Sequence, residues 1–133
     1  MIANGQPSFT AFTAAAARAA HLIVDDDPRI FADTLAGAML GERADELIEY
    51  HRAHGTHPIL AGARAQAICR SRYAEDRLAE GAGRGIGQYV ILGAGLDSFG
   101  GRSGRASRVR VFEVDHLAIA HAAIPARRLA AGG

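Results

Sequence analysis

The sequence predicts an α/β fold in which a helical N-terminal region leads into a single β-crossover-β unit with parallel strands. Three observations predict it. Long runs of helix formers with capping residues at their starts fill residues 10–80. Gln88–Leu92 and Val109–Val114 are short, β-branched, apolar runs of the kind that forms buried parallel strands. Between them lie Gly93-Ala94-Gly95 and a connection too long for a hairpin, which reads as a crossover. The division is thus a helical region over 1–87 and a β-crossover-β unit over 88–133.

Composition narrows the class. The 133 residues suit one domain, and no apolar run reaches the ~18 residues that a membrane span needs. Alanine accounts for 29 of the apolar residues and tryptophan is absent, so the core is built from few large side chains. One cysteine, Cys69, excludes an internal disulfide, and the first residues carry no basic segment ahead of an apolar stretch, so a cytoplasmic protein is expected. The net charge of +1 argues against a dedicated nucleic-acid binder.

The elements follow in order. Ser8 and Thr10 open an alanine-rich stretch that predicts a helix from Thr10 to Leu22. The triplet Asp25-Asp26-Asp27 reads as a turn, with Asp27 as N-cap and Pro28 as first residue of a second helix over 28–40. A third helix over 42–53 carries Leu47, Ile48 and Tyr50 on its apolar side and stops at Gly55. Pro58 opens the longest helix, which extends to Glu80. The alternating glycines of GAGRGIG precede a strand instead of following one, so they are a helix stop and link and not a phosphate loop. The two strands should lie parallel and adjacent with their C-terminal ends on one edge, followed by a last helix over 117–129.

That edge carries the candidate chemistry. Glycines after a first parallel strand let a ligand approach the backbone, and Asp115, 22 residues beyond Gly93, ends the second strand facing the same crevice. A carboxylate there can accept hydrogen bonds from both hydroxyls of a ribose, which points to an adenosine-containing cofactor. A dinucleotide would want a third glycine where Ser98 stands, and Asp97 would oppose a pyrophosphate. S-adenosylmethionine has no phosphate, and its single carboxylate suits an arginine fork.

The segments ARAAHLIVDDDPRIFAD, RSRYAEDRLAE, QYVILGAGLDSF and RVFEVDH resemble the N-terminal half of the S-adenosylmethionine-dependent methyltransferases related to the leucine carboxyl methyltransferases, in particular their bacterial branch. The resemblance runs from Thr13 to Arg128. It implies a Rossmann-like methyltransferase fold with a helical N-terminal cap, here stopping after the second strand and its helix, with S-adenosyl-L-methionine as cofactor. Gly93, Ala94 and Gly95 fall on the family's cofactor loop and Asp115 on its ribose-binding acid. Arg72 falls on the arginine that holds the cofactor's carboxylate, with Arg70 as the alternative register, and Arg18 lies near a basic cofactor contact. The methyl acceptor, a small molecule or peptide, is not specified, although the resemblance admits a carboxylate, nor is any catalytic residue. Family members are roughly twice this length, which makes a non-catalytic remnant or interaction module the alternative reading, with an NAD-type oxidoreductase third. Two strands alone leave open edges that invite self-association.

Other residues attract simpler readings. His51, His54 and His57 recur every third residue, but no nearby cysteine or carboxylate completes a tetrahedral zinc set, so they read as solvated loop histidines. Cys69 reads as a small buried residue, and Tyr73, Glu75 and Asp76 as a solvated helix face.

Overall fold

The structure, a computed structural model, describes residues 7–102 and 108–115. Its elements in chain order are α1 (Phe9–Val24), α2 (Ala36–Met39), a 3-10 turn (Gly41–Arg43), α3 (Ala44–His54), α4 (Pro58–Gly83), β1 (Gln88–Leu92), α5 (Phe99–Arg102) and β2 (Arg110–Val114). This is a mixed helix and strand chain with a two-stranded parallel sheet. The expected final helix over 117–129 lies outside the described residues, and no described helix is long and apolar enough to cross a membrane.

The first helix forms where its sequence predicts. Ser8 Oγ accepts the Ala11 amide at 3.2 Å, and alanines fill the turns that follow. Because alanine has almost no side chain, α1 approaches α2, α3 and α4 closely and becomes the central helix. Ala15, Ala16 and Ala19 form the core with Ala36, Met39, Leu40 and Leu96, and Phe12, Leu47 and Ile48 pack around it. Tyr50, expected on the same apolar side, is instead exposed.

The helix expected over 28–40 is not formed, and only Ala36–Met39 is helical. Side-chain hydrogen bonds, some local and some from α1, capture the groups an early helix would need. Ile30 N–H donates to His21 Nε2 at 3.2 Å, Arg29 donates to the His21 carbonyl, and buried Asp33 accepts the amides of Leu35 and Ala36 through Oδ1. Asp27 therefore caps no helix and Pro28 opens none.

The long helix starts at Pro58 as its sequence predicts, with His57 Nδ1 accepting the Ile59 amide at 3.3 Å. It runs past Glu80 to Gly83 and ends in a Schellman arrangement. Ile86 N–H returns to the Gly81 carbonyl at 3.0 Å, Gly85 N–H to the Ala82 carbonyl at 3.1 Å, and Gly85 takes the required left-handed turn at φ +94°. The glycine-rich link is thus a helix stop.

The strands pair in parallel as expected, with Gln88 opposite Arg110 through Leu92 opposite Val114. Burial differs from expectation. Among the described residues Val90, Leu92, Phe112 and Val114 expose one sheet face, while Tyr89 on the other face meets the Phe99 ring edge-on at 5.1 Å. The consequence for the site is that both strands end on the same edge, beneath the N-terminal half of α1.

Candidate functional site

The loop after β1 is shaped by backbone conformations that glycine adopts without strain. Gly93 and Gly95 have φ of +62° and +49°, in the left-handed region. The Gly93 amide donates to the Val114 carbonyl at 2.7 Å, which ties the loop to the end of β2. The Gly95 amide donates to Asp115 Oδ2 at 2.5 Å, so loop and acid are held together. A Cβ on Gly95 would sit 3.2 Å from Ala11 Cβ, whereas one on Gly93 would meet only open space. Gly95 is thus where α1 and the loop press together, and Gly93 is where the loop faces the cleft.

That cleft has a volume of about 400 Å³ and is lined by Gly93, Ala94, Gly95 and Asp115 together with Ser8, Arg18 and Arg70. The volume lies within the about 300 to 1,000 Å³ usual for small-molecule sites. Arg70, an exposed residue, has no ion pair or hydrogen bond among the described residues, and it borders the cleft together with Asp97 and Asp115. Arg72 lies elsewhere. Its Nε donates to Asp76 Oδ2 at 2.8 Å and its Nη1 to the Ile30 carbonyl at 3.1 Å, and it does not border the cleft. At about 100° per residue, two positions along a helix turn a side chain roughly to the opposite face, which separates the two arginines.

Arg18 borders the cleft but is committed to the protein. Its Nε donates to Asp33 Oδ2 at 2.8 Å and its Nη2 to the Leu96 carbonyl at 2.6 Å. Asp33 is 1% exposed and also accepts the Ser98 hydroxyl at 2.6 Å. Arg102 lies 3.6 Å from Asp33, donates to Ser98, stacks over Phe31 and pairs with Glu75. One buried carboxylate therefore joins α1, the segment before α2, the glycine-loop side of α5 and, through Arg102, the middle of α4. Sequence reasoning missed this cluster. Its only signal was a lone acid in the apolar stretch IFADTLAGAML.

A second buried cluster was also missed. Arg64 donates to both oxygens of Asp25, at 2.6 and 2.8 Å, and to the Gly55 carbonyl. His21 Nδ1 is 2.7 Å from Asp25, and His51 Nδ1 is 3.4 Å from Arg64 Nη1. The Arg64 hydrogen bond, aided by His21 and opposed by partial burial, holds the Asp25 carboxyl down to about 2. Burial, and then the Arg64 charge, push the His51 imidazole below its ordinary 6.5. His51 is therefore a buried neutral group and not a solvated loop residue. Cys69 departs in the other direction, being exposed, and Glu75 belongs to the Arg102 cluster and not to a solvated face.

Among the described residues no cluster of three or more His, Cys, Asp or Glu could hold a metal ion. Comparison with curated proteins returned no match. Comparison with family models matched residues 11–124 to leucine carboxyl methyltransferase, a span that includes α1, the cleft's glycine loop, Arg70 and Asp115. With most of its length covered, the chain belongs to the leucine carboxyl methyltransferase family, a family of S-adenosylmethionine-dependent methyltransferases.

Proposed function

We propose that this chain binds S-adenosyl-L-methionine in the cleft beneath Gly93 and Gly95 and transfers its methyl group to an acceptor oxygen or nitrogen. The observation that carries the reading is the convergence of an unpaired guanidinium, Arg70, with a glycine loop and the acid Asp115 in one cleft. When bound, the cofactor supplies a sulfonium-activated methyl group for in-line displacement. Arg70 is the residue we assign to the cofactor's carboxylate, because its planar fork matches that group and it makes no ion pair among the described residues. Asp115 we assign to the ribose hydroxyls, since it stands at the end of β2 beside the glycine loop, where a carboxylate can accept from both hydroxyls. Gly93 leaves its backbone bare on the cleft side, so the ligand can lie against it. Arg18 and Asp33 hold the walls in place from behind. Such a transfer needs chiefly proximity and alignment, which is why no general base is assigned.

The dinucleotide alternative is disfavoured by Ser98, whose hydroxyl is bound to Asp33 in the position a third glycine would occupy. The helix beyond it, α5, is only four residues long and offers a pyrophosphate little dipole. An interaction module is favoured by one observation, the exposed apolar sheet face of Val90, Leu92, Phe112 and Val114. Calorimetric titration of the monodisperse protein with S-adenosylmethionine and separately with NAD distinguishes these readings. Binding of S-adenosylmethionine alone is the expected result; binding of neither overturns the cofactor site in favour of the interaction module.

A further inference from the structure

Two apolar surfaces stay open among the described residues. One is a cavity of about 500 Å³ between α1, α3 and α4, which shares Thr10, Ala14 and Arg70 with the glycine-loop cleft and so belongs with that site. The other is one face of the sheet. Alternate residues of a strand point to opposite faces, which puts Gln88, Val90 and Leu92 of β1 on the same side as Arg110, Phe112 and Val114 of β2. All six are exposed, Leu92 to 76% and Val90 and Val114 to 51%. The opposite face is covered where Tyr89 meets Phe99. Four adjacent large apolar side chains in water mark a surface for a partner.

The charges around this face indicate which partner. Arg108 and Arg110 stand at the start of β2, both exposed and without an ion pair among the described residues, and Asp115 stands at its end. The surface therefore runs from positive through apolar to negative, with Phe112 at its middle. Two copies stacked face to face with antiparallel strands set the positive end of each over the negative end of the other. Parallel stacking would set arginine against arginine, which costs energy. The chain thus carries the complement of its own surface. Pairing of two β2 edges is the poorer solution, because antiparallel neighbours in one sheet keep their matching faces on the same side and both apolar faces would stay in water.

We propose that the face bearing Val90, Leu92, Phe112 and Val114 is a docking surface for a second copy of this chain, stacked about a two-fold axis beside Phe112 with the strands antiparallel. Sheets stack about 10 Å apart, a gap that two layers of side chains fill. The two Phe112 rings meet at the axis, and Arg110 of each copy reaches toward Asp115 of the other at the rim. Two five-residue strands make a small interface, so the dimer dissociates in the micromolar range. The proposal stands independently of the cofactor reading.

Sedimentation velocity of the full chain over a range of concentrations tests it, and a reversible monomer–dimer equilibrium is expected. Phe112→Glu and Val90→Glu, neither of which lines the glycine-loop cleft, should leave only monomer where the parent dimerises, with the parent's helical circular dichroism. Phe112→Ser, a milder change, should weaken the dimer in the same direction. Arg110→Ala should weaken it about twofold to fivefold, the worth of an exposed charge pair. A dimer untouched by the changes at Phe112 and Val90 would overturn the proposal, and a dimer strengthened by Arg110→Ala would overturn the antiparallel arrangement. Growth beyond the dimer would assign the association to open strand edges instead. A chain that stays monomeric at every concentration would also overturn it, leaving residues 116–133 or another protein as the cover of this face.

Discussion

The amide of Gly95 donates to the carboxylate of Asp115 across 2.5 Å, joining residues that are 20 positions apart in the chain. The contact exists because β1 and β2 pair in parallel with Leu92 opposite Val114, which sets the loop after one strand beside the residue after the other. Replacement of Asp115 by Asn keeps an acceptor for the amide and removes the charge. We expect Asp115→Asn to melt close to the parent temperature and to lose roughly tenfold or more in S-adenosylmethionine affinity, about the worth of one charged hydrogen bond. Differential scanning calorimetry and titration calorimetry check the two halves of that statement.

Gly95→Ala tests the backbone. A side chain there must adopt φ +49° and press its Cβ to 3.2 Å from Ala11. Left-handed backbone costs a non-glycine residue about 1 to 2 kcal/mol, and the crowding adds to it. A lowered melting temperature together with weakened cofactor binding is expected, whereas Gly93→Ala, free of crowding, should be milder for stability.

Arg70 and Arg72 separate the cofactor reading from a general charge effect. Arg70→Ala should weaken S-adenosylmethionine binding by about 1.5 to 3 kcal/mol. Arg72→Ala removes an exposed pair with Asp76 and should leave affinity unchanged and stability within about 1 kcal/mol. Titration of both variants decides it, and the reverse ranking would return the carboxylate contact to Arg72.

Asp33→Ala should be the most damaging single change in the helical region. It leaves Arg18 buried without its carboxylate, Ser98 without its acceptor and Arg102 with Glu75 alone. Loss of one partner from a buried ion pair costs about 3 to 5 kcal/mol, measurable by urea unfolding.

The Asp25 carboxyl gives the fold an acid limit. Its folded value of about 2 lies below the ordinary 3.8, so between those values the unfolded chain binds more protons. The stabilisation is present above about pH 4 and is lost as the pH falls toward 2. His51, also lowered, adds a loss of stability as the pH falls below 6.5. Unfolding midpoints measured from pH 7 to pH 2 should show both declines, and Asp25→Asn should remove the lower one.

Legibility followed locality. The capped start of α1, Pro58 at the head of α4, and the two β-branched runs declare themselves within a few residues, and each forms where its sequence predicts. Residues 28–35 misled because His21, nine residues earlier, takes the Ile30 amide, while Asp33 caps only the short helix that starts three residues later. His51 and Cys69 exchanged environments relative to expectation, the first drawn inward by Arg64 and the second left on the open side of α4.

What the sequence by itself determined was the helices that became α1, α3 and α4, the parallel pairing of β1 with β2, and the arrival of Gly93, Gly95 and Asp115 at one sheet edge. A right-handed crossover between two short apolar strands leaves little choice in that arrangement. Only the tertiary structure decided which arginine of α4 faces the cleft, that Asp33 and Asp25 are the buried hubs, and that a second cavity opens beside the first. Those outcomes depend on how α4 is rotated and seated against α1. That rotation is set by contacts such as Arg64 with Asp25, 39 residues apart, which no local pattern of side chains encodes.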